Sequence, residues 1–292
     1  MIYDEEYMDE NYDRLIKTDT YIKALISKVN LPSYKDDKLL YTLKYDKDIA
    51  LYDYDDFLNN NKYYFDNFET VRLNHITKKT IDRLKKDIDN GLISNKIFTK
   101  SSMYHRIKYI DDDILNFNGK KFRVERWNKN HYDKMNLEIL TEYKNIDDVI
   151  KLLDSWGEKK RKSGGVSMHG YDKNFFNQYY KDVKTRLGDN FLSLFFYHNG
   201  VLIGFTTMER SNNDFWIIHS RKCNSVDYPN LNLYIDIFAY RKIWETYRIP
   251  FYINIGYESG KRCDYKLKRF PNHSQFKSFH VKFINNNVKT IF

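Results

Sequence analysis

Two side chains towards the C-terminal end of the chain could take part in the transfer of an acyl group. Lys266 could donate a hydrogen bond to a carbonyl oxygen as negative charge develops on it, or could contact a phosphate. Tyr257 could donate a proton to the oxygen of a leaving group. Each residue also has a structural interpretation, because Lys266 could be one more solvated lysine and Tyr257 could pack against a sheet.

Seven further residues are candidates for binding a substrate, because most of them lie at the ends of predicted elements or at a predicted domain junction: Arg123, Arg126, Asn130, Arg221, Asn254, Gly256 and Arg262. Arginine suits bidentate recognition of a phosphate or carboxylate, although Arg123 and Arg126 could equally form a salt bridge between domains. Asn254 and Gly256 follow the core of a short predicted strand, where backbone could approach a substrate or the strand could simply end. His219 is interpreted as a core histidine rather than a base. The histidines and cysteines show no metal-ligand spacing, so no metal is predicted.

One stretch of the chain predicts the elements that would position these residues. Asn199-Gly200 suits the two positive-φ positions of a type I′ turn, and it lies between two apolar runs. The expected order is a hairpin of residues 191–198 and 201–209, a strand at 215–221, a helix at 231–247 and a strand at 251–255. The helix is apolar on several faces and should be buried on a sheet. Its length allows the last strand to lie parallel to the third through a right-handed crossover.

This order predicts an α/β (α+β) fold with a mixed, mostly antiparallel sheet, a crossover helix and a splayed parallel strand pair. It is the core order of the GNAT acyltransferase fold, in which a pocket lies over the C-terminal ends of the separating strands. Periodicity predicts further elements along the chain: helices over 4–29, 77–90 and 145–162, and strands over 39–44, 49–54 and 103–110.

Two segments resemble a known family. One runs from Tyr109 to Asn130 and includes Leu115-Asn-Phe-Asn-Gly-Lys-Lys121; the other comprises Tyr252-Ile-Asn-Ile-Gly-Tyr-Glu258 and Tyr265-Lys-Leu-Lys-Arg-Phe-Pro271. Together they are similar to the phosphatidylglycerol lysyltransferase C-terminal-domain-like family. The resemblance implies two tandem GNAT-like domains, a degenerate one over 1–130 and one over 131–292 that carries the active site. Gly260-Lys-Arg262 departs from the family pattern by one extra residue before Lys266.

The turn before the predicted crossover helix bears on the donor. A standard acetyl-CoA site needs glycines there, because only glycine lets backbone amides approach the pyrophosphate so closely. Residues 221–230, RKCNSVDYPN, contain no glycine. The resemblance implies instead an aminoacyl-tRNA as co-substrate, with acyl-CoA as the less favoured donor and no tightly bound cofactor.

The charge of the chain is consistent with a polyanionic partner. The formal net charge is +9, and most of the excess lies in the C-terminal half, so tRNA or another nucleic acid is an expected partner. The acceptor would be an amine or hydroxyl, on a small molecule, a nucleobase or a lipid headgroup. Without a secretory signal or an apolar run long enough to span a bilayer, the chain is expected to be cytoplasmic. The sequence does not set the oligomeric state. The alternative is a non-catalytic nucleic-acid-binding protein with a degenerate GNAT fold.

Overall fold

The computed structural model describes the backbone of residues 33–35, 38–40, 42–45, 48–51, 54–94, 98–162, 180–181, 183–185, 187–212, 214–258 and 273–284. Its strands are β1 (Ser33–Lys35), β2 (Lys38–Leu40), β3 (Thr42–Tyr45), β4 (Asp48–Leu51), β5 (Thr70–Ile76), β6 (Phe98–Ile110), β7 (Glu138–Leu140), β8 (Phe191–His198), β9 (Val201–Asn212), β10 (Phe215–Cys223), β11 (Phe251–Glu258) and β12 (His273–Ile284). Its α-helices are α1 (Tyr54–Asn67), α2 (Lys78–Asp89), α3 (Asp112–Asn116), α4 (Arg123–Asp133), α5 (Ile146–Lys162) and α6 (Leu231–Tyr247).

The chain forms two compact units. One comprises Met1–Arg106, Tyr257–Cys263 and Ser274–Phe292, and the other Ile107–Gly256 and Asp264–His273. We call them the first unit and the second unit. The second unit thus begins at Ile107, whereas the sequence suggested a division after residue 130, and the C-terminal strand belongs to the first unit. The assignment of a separate GNAT-like domain to each half of the chain stays a prediction.

In the described residues of the first unit, α1 and α2 lie with a sheet of strand order β3-β4-β5-β12-β6. The β4 and β5 strands are parallel and are joined through α1, while β12 is antiparallel to β5. Its core combines aliphatic and aromatic side chains, and Phe57 of α1 stacks on Phe283 of β12 at 5.5 Å between ring centroids. The helix predicted over 77–90 is confirmed as α2. Thr77 caps its first turn by accepting a hydrogen bond from the Thr80 amide at 3.0 Å.

The second unit contains the predicted order of elements. Its strands follow the order β11-β10-β9-β8-β7, with β8, β9 and β10 antiparallel and β11 parallel to β10. The β8–β9 turn has Asn199 at φ 50° and Gly200 at φ 78°, as a type I′ turn requires. Helix α6 connects β10 to β11 and buries residues on several faces against the sheet. The prediction of a mixed, mostly antiparallel sheet with a crossover helix is therefore confirmed.

Helix α4 has a polar buried face. Glu125, Asn128 and Tyr132 are buried at i, i+3 and i+7. Asn128 Nδ2 donates to the backbone oxygen of Asn230 at 3.1 Å, and the Tyr132 hydroxyl donates to that of Pro229 at 2.9 Å. These bonds attach α4 to the segment that begins α6.

Other sequence predictions are met in part. The predicted strand at 103–110 is the second half of β6, and the predicted helix at 145–162 is α5. The predicted helix at 4–29 lies outside the described residues. Among those residues, no helix combines the length and apolarity needed to span a bilayer.

Candidate functional site

The parallel pair β10–β11 is open at its C-terminal end. The two strands pair only from Phe215 with Tyr252 to Ile217 with Asn254. Strand β10 nevertheless continues to Cys223, and β11 continues within the second unit to Gly256. The strands therefore separate after three residue pairs, as the predicted splayed pair requires. A gap between parallel strands exposes their backbone groups and adjacent side chains to a ligand.

Five buried polar residues lie on one face of the sheet beside this opening. We call them the polar row: Ser193, Thr207, Glu209, His219 and Asn254. The strand register places them together, because Asn254 pairs with Ile217, Ile217 with Glu209, and Ser193 with Thr207. Residues that are paired across strands, and residues two apart in one strand, share a face. The opposite face of the same strands packs on α6.

His219 and Glu209 form the central contact of the polar row. A register shift between Ile218 and Ser220 makes His219 an extra residue in β10. Its Nε2 lies 2.9 Å from Glu209 Oε2, with side-chain exposures of 0% and 5%. If Nε2 carries the hydrogen and donates a hydrogen bond to the carboxylate, Nδ1 keeps its lone pair. No hydrogen-bond partner of His219 Nδ1, or of Thr207 Oγ1, is found in the described part of the chain. In this tautomer the buried His219 could accept a proton from a substrate that enters between the separated strands.

A cleft reaches the polar row at Ser193. It has a volume of about 660 Å³ and is lined by eleven residues: Thr141, Lys184, Gly188, Asp189, Asn190, Phe191, Leu192, Ser193, Arg210, Thr246 and Tyr247. Its volume is within the range of about 300–1,000 Å³ that is usual for small-molecule sites. The Arg210 guanidinium lies over the Tyr247 ring at 4.0 Å from the centroid. The Arg210 guanidinium and the hydroxyl groups that line the cleft could orient a polar acceptor.

Ser193 is held rigidly at the inner end of this cleft. Its hydroxyl donates to the backbone oxygen of Thr141 at 2.6 Å and lies 2.9 Å from the hydroxyl of Tyr180. The Tyr180 hydroxyl in turn donates to the same Thr141 oxygen at 3.0 Å. Burial raises the pKa of Tyr180, and the hydrogen bond with Ser193 opposes that shift. Tyr180 is therefore a neutral hydrogen-bonding group at physiological pH.

The turn between β10 and α6 uses its own amide groups. Asn224 Oδ1 accepts from the amides of Val226 and Asp227 at 3.3 Å each. The amides of Ser225 and Tyr228 donate to backbone oxygens of Cys223 and Asn224. A pyrophosphate cradle needs such amides to point at the ligand. Here they are committed to the turn, and Asp227 adds a negative charge.

The first turn of α6 is equally occupied. The amide of Leu231 donates to the Tyr228 oxygen, and those of Leu233 and Tyr234 both donate to the Asn230 oxygen. The amide of Asn232 hydrogen-bonds the Cys223 sulfur. The turn and the helix start therefore lack the open amides of a coenzyme A pyrophosphate site, in agreement with the absence of glycine there.

The structure describes some of the residues that the sequence singled out near the C-terminal end. Asn254 is buried in the polar row, beside the last parallel strand pair. Gly256 lies in β11 beyond that pair. The backbone of Tyr257 belongs to β11, but its side chain lies outside the described part. Lys266 and Arg262 lie wholly outside it, so their roles stay predictions.

The remaining predicted site residues lie on β10 and α4. Arg221 forms an ion pair with Asp236 of α6, with exposures of 18% and 7%. Arg126 donates to the backbone oxygens of Phe117 and Gly119, and so closes the turn after α3. Arg123 and Asn130 are exposed on α4. A role of Arg221 or Arg126 in substrate binding stays a prediction, and it would require either side chain to leave these partners.

Sequence reasoning missed most of the polar row. Glu209, Thr207 and Ser193 lie on apolar hairpin strands, and His219 was interpreted only as a core residue. A usable signal exists at Ser193, which interrupts the apolar run of residues 191–197, because a polar residue within such a run needs a hydrogen-bond partner when it is buried. The partner itself could not be found from the sequence, since it depends on the irregular register of β10.

Solved structures resemble this fold. A conserved protein of unknown function from Bacteroides thetaiotaomicron matches with a TM-score of 0.66 and 14% identity, over 93% of this chain and 91% of that one. The DUF2156 C-terminal domain named for a lysylphosphatidylglycerol synthetase of Agrobacterium fabrum matches with a TM-score of 0.59 and 8% identity, over 97% and 93%. FemX matches with a TM-score of 0.60 and 9% identity, over 98% and 97%. No family model and no curated protein matches the sequence.

These likenesses confirm the resemblance that the two sequence segments indicated. At such identities they show the fold alone. The chain has the fold of the lysylphosphatidylglycerol synthetase C-terminal domain and of FemX.

Proposed function

We propose that the protein transfers an aminoacyl group from an aminoacyl-tRNA to an amine or hydroxyl acceptor, at the opening between β10 and β11. One observation carries this proposal: the parallel strands separate directly beside a buried His219–Glu209 pair. The opening gives an acyl group a place beside backbone groups. The pair supplies a base at the same position.

The turn before α6 supports the choice of an aminoacyl donor. Its amides are already bonded within the turn and to the Cys223 sulfur. Binding a coenzyme A pyrophosphate there would require breaking these bonds and placing a dianion beside Asp227. An aminoacyl ester needs no pyrophosphate cradle. The aminoacyl donor is therefore favoured over acyl-CoA, which remains the second donor to test.

The proposed step passes one proton from the acceptor to the leaving group through His219. The acceptor nitrogen or oxygen attacks the ester carbonyl and gives its proton to His219 Nδ1, while Glu209 stabilises the imidazolium that forms. The new bond joins the acceptor to the carbonyl carbon, and the ester C–O bond breaks. The ribose oxygen leaves and takes this proton from the His219 imidazolium, which restores the His219–Glu209 pair. Lys266 donates to the carbonyl oxygen as it becomes negative.

The test measures donor consumption by the full chain. Purified protein is incubated with a pool of radiolabelled aminoacyl-tRNAs, or with acetyl-CoA, together with amine and hydroxyl acceptors. We expect label to leave the tRNA and enter the acceptor, and no release of free coenzyme A. If neither the aminoacyl-tRNAs nor acetyl-CoA is consumed in the presence of acceptors from each class, the proposed function is rejected in favour of a binding protein without chemistry.

Variants connect any activity to the polar row. His219→Gln and Glu209→Gln keep the side chains polar and similar in size, and each should lower the rate about 10²-fold or more, as the loss of a general base does. His280→Gln is the matched control, because His280 lies in the first unit and contacts Asn74 at 3.0 Å. If His219→Gln and Glu209→Gln react as fast as His280→Gln and the wild-type protein, the His219–Glu209 pair has no part in the mechanism.

A further inference from the structure

The exposed face of α4 carries an aromatic pair among cations. Trp127 is 59% exposed, and its ring lies parallel to that of His131, with 5.2 Å between centroids and an interplanar angle of 5°. Arg123 and Asn130 are exposed at i and i+7 of the same helix, and its C-cap residue, Lys134, is exposed at i+11. We call these five residues the α4 stripe. With 3.6 residues per turn they all project from one side, opposite the buried Glu125, Asn128 and Tyr132.

Among the residues that the structure describes, the cations of the α4 stripe have no acidic partner. In the part of the chain that the structure describes, Arg123 and Lys134 form no ion pair. The acidic residues of the helix are used elsewhere: Glu125 is buried, and Asp133 pairs with Lys129 and accepts from Tyr234. Exposed cations on other helices do pair, as Lys62 does with Asp66 at 2.9 Å. The stripe therefore presents uncompensated positive charge on both sides of an exposed indole.

We propose that the α4 stripe binds single-stranded RNA, with a base stacked on Trp127 and backbone phosphates on Arg123 and Lys134. One face of the indole is covered by His131, which holds the ring in place, so the other face can receive a base. Asn130 lies within the stripe and can hydrogen-bond a base edge or a ribose hydroxyl. From Arg123 to Lys134 the stripe rises about 16 Å, the length of about five stacked nucleotides.

The chemistry of the stripe distinguishes RNA from an anionic membrane. A helix face that inserts into a bilayer presents several aliphatic side chains beside its aromatic residues. Here Val124, 53% exposed, is the one large aliphatic residue exposed on α4, and it lies at the edge of the stripe. The centre consists of a histidine, an asparagine and an indole held by stacking. This composition is typical of a platform for single-stranded nucleic acid.

The experiment measures binding of the full chain to a fluorescein-labelled 12-nucleotide single-stranded RNA, by anisotropy at several salt concentrations. Trp127→Ala should weaken binding about ten-fold, while Trp127→Phe keeps most of the affinity. Arg123→Gln combined with Lys134→Gln should reduce the slope of log K against log salt by about 1.4, since each phosphate contact to a single strand adds roughly 0.7. These side chains are exposed, so thermal unfolding midpoints should not change.

The control variants lie on the exposed side of the first unit. Tyr63→Ala removes an aromatic residue that is 55% exposed, and Lys78→Gln with Lys79→Gln removes the same charge as the stripe variant. Neither should alter the affinity. Wild-type affinity in the Trp127→Ala protein overturns the inference. The Trp127→Ala protein is also tested for binding to phosphatidylglycerol vesicles. A loss of vesicle binding that leaves RNA binding unchanged likewise overturns the inference. The assay contains no donor or acceptor, so its outcome is independent of the proposed transfer reaction.

Discussion

Replacement of Gly204 by alanine should destabilise the second unit, because the space for a side chain is already filled. A Cβ atom at Gly204 would lie 2.7 Å from Ile235 Cδ1, 3.0 Å from Cys223 Cβ and 3.3 Å from the Lys222 oxygen. Ile235 is fully buried in α6. The missing side chain therefore allows α6 to pack directly on β9.

The size of the effect follows from overpacking. Forcing an extra methyl group into a packed core costs about 1–3 kcal/mol, and the loss of backbone freedom in the unfolded chain offsets part of this cost. We expect Gly204→Ala to lower the free energy of unfolding by about 2 kcal/mol. Ile235→Val removes the nearest atom and alone should cost about 1 kcal/mol. The double variant lacks the closest contact. Its loss in free energy of unfolding should therefore be smaller than the sum of the two single losses by at least about 1 kcal/mol.

Urea unfolding followed by circular dichroism provides the assay, and Gly157→Ala provides the control. Gly157 lies within α5, and a Cβ atom there would meet nothing within 4 Å. The same chemical change should therefore stabilise the protein by about 0.5–1 kcal/mol. Equal effects of Gly204→Ala and Gly157→Ala, or full additivity with Ile235→Val, would refute the packing of α6 on Gly204.

Three other predictions concern buried ionisable groups. Arg221→Leu should lower the free energy of unfolding by about 3–5 kcal/mol, because it leaves Asp236 buried without its ion-pair partner. Adding Asp236→Leu should restore part of this loss. Urea unfolding of both variants tests the prediction, and an equal loss in the double variant would contradict it. Burial raises the pKa of Tyr132 from 10.0 to about 12, so between these values the folded state binds more protons than the unfolded state. The free energy of unfolding should therefore fall as pH rises from about 10 to 12. Tyr132→Phe should make that fall smaller, by of order 2 kcal/mol at most. Burial also raises the pKa of the Cys223 thiol, so iodoacetamide at neutral pH should modify it far more slowly in the folded than in the urea-unfolded protein, as peptide mass spectrometry would show.

The part of the fold that the sequence predicts best is the part with strong local signals. Asn199-Gly200 defines a hairpin turn without reference to the rest of the chain, and the apolar residues of 231–247 define a buried helix. A helix of that length between two strands then predicts their parallel pairing. These signals depend on neighbouring residues, so tertiary contacts did not have to be known.

Helix α4 was not predicted, and its buried face explains why. Hydrophobic periodicity finds a helix when one side of it is apolar. The buried side of α4 instead presents Glu125, Asn128 and Tyr132, which bond to the segment before α6. For the same reason Arg123, Arg126 and Asn130 were assigned to a junction between domains rather than to different sides of one helix.

The polar side chains of the second unit divide into those that the fold uses and those that it leaves available. Asn224 closes a turn, Arg126 closes another, and Arg221 joins β10 to α6, so each has bonds that account for its position. His219 Nδ1 and Thr207 Oγ1 are buried without a partner among the described residues. Leaving such atoms unsatisfied costs about 1–3 kcal/mol each, and the cost persists where the free group has a use. Since the strands separate at the same place, that use is best sought in the chemistry of a substrate that enters between them.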